Sequence, residues 1–517
     1  SCVANSPVIS SSNLIIGNAS SPGSADSVIL QMGQAISPPS ANYLIGTYDI
    51  PTNVASTSMT VYADGLFDMN GASNRLSSLT LQGGHVTGGD ATVSPLLTLT
   101  SGVTTLADTQ TALIEEGFIG MSANGFTFNV ADGAAGTDLQ IDSILQNGIG
   151  FTGANNTNSM VKSGTGTLVL TSLNADGGTD DGNTYSGVTD VQAGILNIQH
   201  DNALGQTGPS IGSLDNSTTV QSGAQLQLEG GITVGSETLT LSGTGISNTG
   251  ALLNQANDNT YNGYVYLSAD SRINANTGTT LTIANPAGVN AGIMNGTAAG
   301  KNLTVGGSGD TTINGAIGAF VNNITKDGSG TLTLAGNNAY AGATNVTSGA
   351  VKITHDNGLS GTGATVTSGA ALQFAQDATN TDISVVGVAS TISGTGLSNG
   401  GAIQNLNGDN SYAGNVTLAA NARITADSGS SLTLAGNVTG AGFNLDAGGV
   451  GNTTYNGVIS GSGTAVTKTD SGTVTFGGAS ANTFDGGLNV NDGTLNLNKT
   501  AGVNALAASG TLTVGDN

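Results

Sequence analysis

The sequence is poor in charged and aromatic residues, and it contains one cysteine and no tryptophan. Only 8% of its 517 residues are charged, and 33 acidic residues against nine Lys and Arg residues give a formal net charge of −24. Nucleic acid is therefore not expected as a partner, because phosphate binding requires clusters of Lys and Arg that this chain lacks. The acidic residues are scattered through turns, which favours a solvated, self-repelling surface over a specific cation site. The single Cys2 excludes an internal disulfide.

A signal peptide and a hydrophobic run long enough to span a membrane are also missing from the sequence. We therefore expect a chain that starts after processing. Insertion into a membrane is not expected of this chain either.

Glycine is abundant instead, with 82 residues, and the glycine-rich segments repeat. Residues 326–357 read KDGSGTLTLAGNNAYAGATNVTSGAVKITHDN. The same apolar and glycine positions occur in KSGTGTLVL at 162–170 and NTYSGVTDVQAGILNIQHDN at 183–202, once the segment between them is removed. A third copy begins at Lys468. It has Phe484, Leu488 and Lys499 where the other copies have Tyr, Thr and His.

Longer stretches repeat around these copies. Residues 241–254, LSGTGISNTGALLN, return at 392–405 as ISGTGLSNGGAIQN. Self-similarity of this kind indicates a stacked architecture in which each unit contacts its neighbours. We predict an N-terminal irregular segment or cap, first solenoid coils, two large repeats and a partial third repeat, at 1–60, 61–161, 162–325, 326–467 and 468–517. The cap is inferred from proline, since six of the eight prolines lie in the first 95 residues.

Within each copy, short alternations of apolar and polar residues recur, as in TLTL, TNVT and AVKI. This period of two predicts short strands with one buried face, and the Gly-Asn, Ser-Gly and Asp-Gly pairs between them favour tight turns. The segment DTQTALIEEGF, after Asp108, has start and stop signals of a helix but fits a strand at least as well. A sandwich or a closed barrel would not explain large units repeated along the chain. The predicted fold class is all-β, a repetitive β-solenoid in the form of a right-handed parallel β-helix with about 20 to 25 residues per coil.

The copy at 326–357 resembles the passenger-associated transport repeat of autotransporter proteins of Gram-negative bacteria. The matching elements are Lys326, GSGTLTL at 328–334, NNAY at 337–340, GATNV at 342–346 and the segment 349–353. The resemblance implies a β-helical passenger exported to the outer surface of a Gram-negative cell or beyond it, commonly an adhesin or a structural stalk. It implies no catalytic site, because the repeat is a scaffold element.

Two groups of residues bear on catalysis. His200 and His355 each precede Asp-Asn, a pairing that could serve a general base. They occupy equivalent positions in two copies, and an active site would not recur with the fold, so we predict a structural role in a turn. Ser471 corresponds to Thr165 and Ser329, which also favours a turn over a nucleophile. We therefore expect no catalytic residues and no enzyme.

One acidic segment is a candidate metal site. NADGGTDDGNTY contains Asp176, Asp180 and Asp181 within an insertion that the second copy lacks. Oxygen-rich loops of this composition bind Ca²⁺, although the spacing is not that of an EF-hand. Calcium at these three residues is the only cofactor we consider, with a solvated loop as the alternative.

Three further groups recur among the copies. The lysines Lys162, Lys326 and Lys468 open the copies, and we predict that they set a positive charge against the acidic solenoid. Four tyrosines are predicted to stack as a partly buried row, with a sugar-binding platform as the alternative: Tyr185, Tyr261, Tyr340 and Tyr412. The apolar residues predicted to point into the core are Val191, Leu196, Ile198, Val346, Val351 and Ile353.

The most economical function is a non-enzymatic, extracellular β-solenoid that serves as a stalk, an adhesin or a matrix component. Its expected partners are a host or neighbouring-cell surface, glycans, or another copy of the chain. ASGTLTVGDN at 508–517 predicts an uncapped strand, to which the segment 6–17 of another molecule could pair end to end, unless the chain continues into more repeats. The rival function is a β-helix enzyme acting on polysaccharide, with its site in a groove of Asp, Lys and Arg from adjacent coils.

Overall fold

The computed structural model describes residues 12–19, 24–32, 57–89, 95–148, 158–172, 182–206, 217–284, 292–295, 300–376, 382–385, 387–507 and 510–515. Throughout these residues the regular structure is β-strand, apart from two single turns of 3-10 helix at Ile246–Asn248 and Leu397–Asn399. No helix in this part of the chain is long and apolar enough to cross a membrane. The predicted all-β class is therefore confirmed.

The chain divides into two compact units, Ser1–Tyr266 and Leu267–Asn517. Each unit is a parallel β-solenoid, in which a strand pairs with the equivalent strands of the coils before and after it. This confirms the predicted architecture, whereas its right-handedness stays a prediction. The boundaries proposed for the sequence repeats also stay predictions.

The strands of the first unit are short, from two to six residues. They are Asn13–Ile16, Val28–Gln31, Ser58–Tyr62, Gly65–Asp68, Asn74–Leu76, Ser78–Gln82, His85–Thr87, Leu96–Leu99, Gly102–Thr105, Ala112–Glu115, Phe118–Met121, Phe126–Asn129, Leu139–Ile141, Ile144–Asn147, Met160–Ser163, Thr167–Leu170, Thr189–Val191, Ile195–Ile198, Ser217–Val220, Gln225–Leu228, Thr233–Val234, Thr238–Gly243, Leu252–Asn254 and Asn259–Tyr261. The strand Val265–Ala275 contains the boundary between the units.

The strands of the second unit follow the same pattern. They are Thr280–Ile283, Ile293–Asn295, Lys301–Gly307, Asp310–Ile313, Val321–Lys326, Thr331–Leu334, Ala343–Val346, Ala350–Ile353, Gly363–Val366, Ala371–Phe374, Ser384–Val385, Ser390–Gly394, Ile403–Asn405, Asp409–Tyr412, Val416–Ala426, Ser431–Leu434, Val438–Thr439, Leu445–Gly449, Asn452–Tyr455, Ile459–Ser460, Val466–Lys468, Thr473–Phe476, Leu488–Val490, Thr494–Leu497 and Leu512–Val514.

Strand register places equivalent residues of successive coils side by side. Lys326 pairs with Val346, and Val346 pairs with Val366, each 20 positions after the one before. This step agrees with the predicted coil length. Because parallel ladders bond each backbone group to a neighbouring coil, the short strands need no partner within their own coil.

Alternation along each strand separates the core from the surface. In Ala350–Ile353, Val351 and Ile353 are fully buried, while Lys352 between them is half-buried and faces outward. All six apolar residues predicted to point into the core are fully buried. Burial of one such side chain contributes about 1.5–3 kcal/mol, so the stability of each solenoid unit is spread along its own core.

Two early segments form strands in the described part of the chain. The segment after Asp108 forms the strand Ala112–Glu115, which ends where Glu116 and Gly117 adopt positive φ angles of 58° and 80°. Within the predicted cap, the strand Asn13–Ile16 pairs in parallel with Ser58–Tyr62. The described part of that segment therefore contributes regular solenoid strands.

Candidate functional site

Each of the three sequence copies has a lysine inside the solenoid. Lys162, Lys326 and Lys468 have relative exposures of 0%, 1% and 1%. Each lies in register with a valine of the next coil, as Lys326 does with Val346. Since valine fills that column elsewhere, the aliphatic stem of the lysine takes the place of a core side chain.

The buried ammonium groups bond to backbone carbonyls at turns. Lys162 Nζ donates to the carbonyl oxygens of Ser163, Gly164 and Ala193 at 3.0, 2.9 and 2.9 Å. Three carbonyls match the three donors of an ammonium group. The other two copies repeat this contact, with Lys326 Nζ bonded to Asp327 and Gly328 at 2.5 and 2.8 Å, and Lys468 Nζ bonded to Thr469, Asp470 and Asp492 at 2.7, 2.5 and 3.1 Å.

A glycine of the following coil makes room for each ammonium group. Gly194 has a φ of 68°, and a Cβ atom there would lie 2.4 Å from the Gly166 oxygen and 2.8 Å from Lys162 Nζ. The equivalent glycines of the other copies, Gly349 and Gly493, have φ angles of 66° and 71°. Only glycine fits both the left-handed backbone and the close approach.

The sequence predicted the positive charge of these lysines but not that they are buried inside the solenoid. Burial lowers the pKa of Lys162 to about 8, against the opposing effect of Asp138. Burial also lowers the pKa of Lys326 to about 8. Both side chains remain mainly charged at pH 7, and the charge is held inside the solenoid on carbonyl oxygens.

A buried asparagine connects three consecutive coils in each copy. Asn338 Oδ1 accepts from the Ile317 amide at 2.8 Å, and its Nδ2 donates to the Gly358 carbonyl at 2.8 Å. Asn183 does the same with Leu145 and Ala203, at 2.8 and 2.6 Å, and Asn482 with Ile459 and Ala505, at 3.0 and 2.9 Å. The asparagine therefore satisfies backbone groups at a corner that the strand ladders do not reach.

Next to this asparagine lies a buried aromatic side chain. The Tyr340 hydroxyl is 2.6 Å from Thr344 Oγ1, and the equivalent Tyr185 is 2.5 Å from Thr189. In the third copy, the pair is Phe484 and Leu488, both 1% exposed. Both hydroxyl groups are absent from the third copy, so neither position leaves a buried polar group without a hydrogen-bond partner.

Comparison with known protein families assigns these copies. Residues 160–198, 324–353 and 466–497 match the passenger-associated transport repeat. The chain carries three passenger-associated transport repeats. The predicted resemblance to an autotransporter passenger is confirmed by these matches together with the β-solenoid fold. No curated protein and no solved structure matches the chain.

The transport repeats contain the lysine, asparagine, aromatic residue and glycine described above. The histidines that follow the first two transport repeats have the predicted turn role. His200 Nδ1 accepts from the Asn202 amide at 3.1 Å, and His355 Nδ1 accepts from the Asn357 amide at 3.0 Å. Ser471 is exposed in the turn before Thr473.

The four tyrosines do not form the predicted row. Tyr185, Tyr261, Tyr340 and Tyr412 are fully buried, and within the described ranges no ring contact joins one of them to another. Tyr412 packs instead on Phe374, with ring centroids 5.4 Å apart. Because the rings are enclosed, they offer no platform to a sugar.

The candidate calcium ligands Asp176, Asp180 and Asp181 lie outside the described residues. Calcium binding there stays a prediction. Among residues that the structure does describe, no group of three or more His, Cys, Asp or Glu side chains could hold a metal ion.

An arginine–aspartate network lies beside the third transport repeat. Arg423 Nη1 donates to Asp446 and, at 2.9 Å, to Thr469 Oγ1, while Nη2 donates to Asp470. Burial acts to raise the pKa of Asp470, but the Gly449 amide and Arg423 bring this pKa below its ordinary value. Arg423 and Asp470 line a shallow cleft, together with Thr425, Asp427 and Asp492.

A related arginine–aspartate pair lies near the second transport repeat. Arg272 forms a bidentate pair with Asp327, at 2.7 and 2.6 Å, directly after Lys326. Recurrence at equivalent places of the fold indicates that the arginines support turns. The sequence-based inference did not identify either pair, although both arginines precede isoleucine in matching segments, SRI and ARI.

His85 is a second group that the sequence did not reveal. Its Nδ1 lies 3.3 Å from Asp26 and its Nε2 lies 2.9 Å from Glu115. The two carboxylates approach opposite sides of the imidazole ring, so they cannot join His85 around one metal ion. His85, Asp26 and Glu115 lie far apart along the chain, so no local sequence motif could have predicted these contacts.

We expect Lys326→Met to destabilise the protein. Methionine keeps an apolar stem but leaves buried carbonyls without donors, at a cost of about 1–3 kcal/mol per group. Denaturant unfolding at pH 7, followed by circular dichroism, measures the change. Lys352→Met is the matched control, because Lys352 faces outward in the same transport repeat, and its effect should be below about 0.5 kcal/mol. Equal losses in the two variants would contradict the buried ammonium contact.

The third transport repeat suggests a rescue experiment in the second. Tyr340→Phe should destabilise by about 1–2 kcal/mol, because it leaves the Thr344 hydroxyl and the Ser360 amide with fewer partners. Tyr340→Phe combined with Thr344→Leu reproduces the Phe484 and Leu488 pair and should recover part of the loss. A double-mutant cycle on the free energy of unfolding measures the coupling. Strict additivity would show that the two hydroxyls act independently.

Proposed function

We propose that this chain is a non-enzymatic, extracellular β-solenoid that acts at the surface of a Gram-negative bacterium as a stalk, an adhesin or a matrix component. The observation that carries the proposal is that the side chains recurring in the transport repeats are buried and bonded to backbone groups. Lys326 and Asn338 each hold a turn or a neighbouring coil. Such residues stabilise the coils of the solenoid and leave its outer faces free to differ. The surface location is supported by the resemblance to repeats of autotransporter proteins.

The rival function is an enzyme acting on polysaccharide, and the Arg423 cleft is where its groove would lie. Hydrolysis of a glycosidic bond requires a carboxylic acid that keeps its proton near neutral pH. Asp470 has the opposite environment, because its bonds to Arg423 and to the Gly449 amide lower its pKa despite partial burial. We therefore favour a structural role for the cleft.

The outer face of one sheet in the second unit offers a contact surface. Five side chains lie in one register column across successive strands: Ser411, Thr433, Thr454, Thr475 and Asn496. The first four alternate with buried neighbours along their strands. The column carries hydroxyl and amide groups at the spacing of paired strands, about 4.7–4.9 Å, and no charge. A neutral glycan can lie on it and exchange hydrogen bonds without electrostatic repulsion from the acidic chain.

Binding without turnover tests this function. We expect the purified chain to sediment with insoluble polysaccharide or cell envelopes and to release no reducing sugar ends. Thr454→Glu places a charge in the middle of the column and should reduce binding, whereas Thr325→Glu, on a different strand ladder, is the matched control. Release of reducing ends that disappears on Asp470→Asn would instead identify the cleft as an active site.

End-to-end self-association is part of the same proposal. In the third transport repeat and the strand after it, Leu497, Leu512 and Val514 are 48%, 45% and 73% exposed, whereas Ile353, which is equivalent to Leu497, is fully buried. Thr494–Leu497 and Leu512–Val514 each pair on one side within the described residues. Either further repeats of a longer chain or a strand of another copy can pair with the open side, and head-to-tail contacts of the second kind generate a filament.

Electron microscopy of the purified chain, with and without residues 1–20, tests the association. We expect fibres from the full chain and their loss after truncation, because the segment 6–17 supplies the pairing strand. Separate rods in both samples would rule out self-assembly through this segment.

A further inference from the structure

Glu237 is a carboxyl group in the core of the first unit. It is 5% exposed, directly before the strand Thr238–Gly243, and the hydroxyl of the fully buried Thr218 donates to its Oε1. The three other buried carboxyl side chains of the described residues, Asp64, Asp68 and Asp138, accept at least one backbone N–H. Glu237 has only the neutral hydroxyl.

The titratable groups that face Glu237 are phenols. The charge of Glu237 opposes the ionisation of Tyr185 and Tyr261, which are both fully buried. The Tyr261 hydroxyl has no hydrogen-bond partner, and no Lys or Arg contributes to the environment of Glu237. Burial raises the pKa of Glu237 to about 8, against the Thr218 hydrogen bond. The carboxyl is therefore mainly protonated at pH 7.

The second large repeat shows that the fold does not need this pair. Strand register makes Thr218 equivalent to Ala364, since they pair with the equivalent residues Thr189 and Thr344. Glu237 corresponds to Val388 in the matching stretches of the two repeats. A hydrogen-bonded polar pair in one repeat thus replaces an apolar pair in the other.

We propose that Glu237, buried and hydrogen-bonded to Thr218, is a pH-sensitive element that keeps the coils around residues 217–261 closed while its carboxyl is protonated and loosens them when it ionises. An ionised carboxylate at this place has neither a cation nor a backbone donor to replace its water. The change is confined to the first unit, because the equivalent position of the second large repeat holds valine.

The sign of the effect follows from linkage. The folded protein holds the proton more tightly than the unfolded chain, whose glutamate has a pKa of 4.5. The stabilisation is fully present below that pKa, declines as the pH rises, and is lost as the pH passes through about 8. Between pH 6 and pH 9, these two values correspond to a decrease of roughly hundredfold in the folding equilibrium of the segment.

Hydrogen exchange of the full chain at pH 6 and pH 9, corrected for intrinsic rates, tests the proposal. We expect protection of the strands Ser217–Val220 and Thr238–Gly243 to fall by up to about hundredfold. The equivalent strands Gly363–Val366 and Ser390–Gly394 are an internal control in the same molecule and should change much less.

Two variants make the outcome decisive. Glu237→Gln keeps the shape of the side chain without an ionisable group and should abolish the difference between the two pairs of strands. If that variant does not fold, Thr218→Ala combined with Glu237→Val, the pair of the second large repeat, replaces it with the same expectation. A difference that persists in either folded variant, or that is absent from the unaltered chain, would overturn the proposal.

Discussion

The solenoid depends on backbone hydrogen bonds between consecutive coils. A coil of about 20 residues has no closed core of its own, so its strands become stable only when the neighbouring coils pair with them. Pairing in register then places each inward residue beside the equivalent residue of the next coil, as with Lys326, Val346 and Val366. The core consists of such columns, and a side chain is buried when its column faces inward.

Turns need additional hydrogen-bond partners, because their carbonyl and amide groups point away from the strand ladders. The transport repeats concentrate their shared residues at these points. A lysine ammonium bonds to turn carbonyls, an asparagine connects backbone groups of three coils, and a glycine admits the close approach. The backbone of each turn needs hydrogen-bond donors and acceptors, and this need explains why the segment repeats without containing a catalytic group.

Differences among the copies separate two kinds of buried polar residue. The lysine, asparagine and glycine are the same in all three transport repeats, because their partners are backbone groups that every coil possesses. Pairs that bond to each other through side chains are exchanged together. Tyr340 and Thr344 become Phe484 and Leu488, and Thr218 and Glu237 become Ala364 and Val388. Function that differs from coil to coil is therefore expected at the exchangeable pairs and on the outer faces.

The sequence by itself determined the strand class, the parallel stacking and the core, because alternation and repetition can be read from the order of the residues alone. Val351 and Ile353 could be assigned to the interior from AVKI alone. The sequence could not place Lys326, since a lysine is ordinarily exposed and its burial requires carbonyls that the turn of the fold presents to it. Glu237 and His85 were missed for the same reason, as their partners lie 19 to 59 residues away. Only the tertiary structure decided these contacts, because it brings distant turns together and sets whether a charged group meets water or a backbone partner.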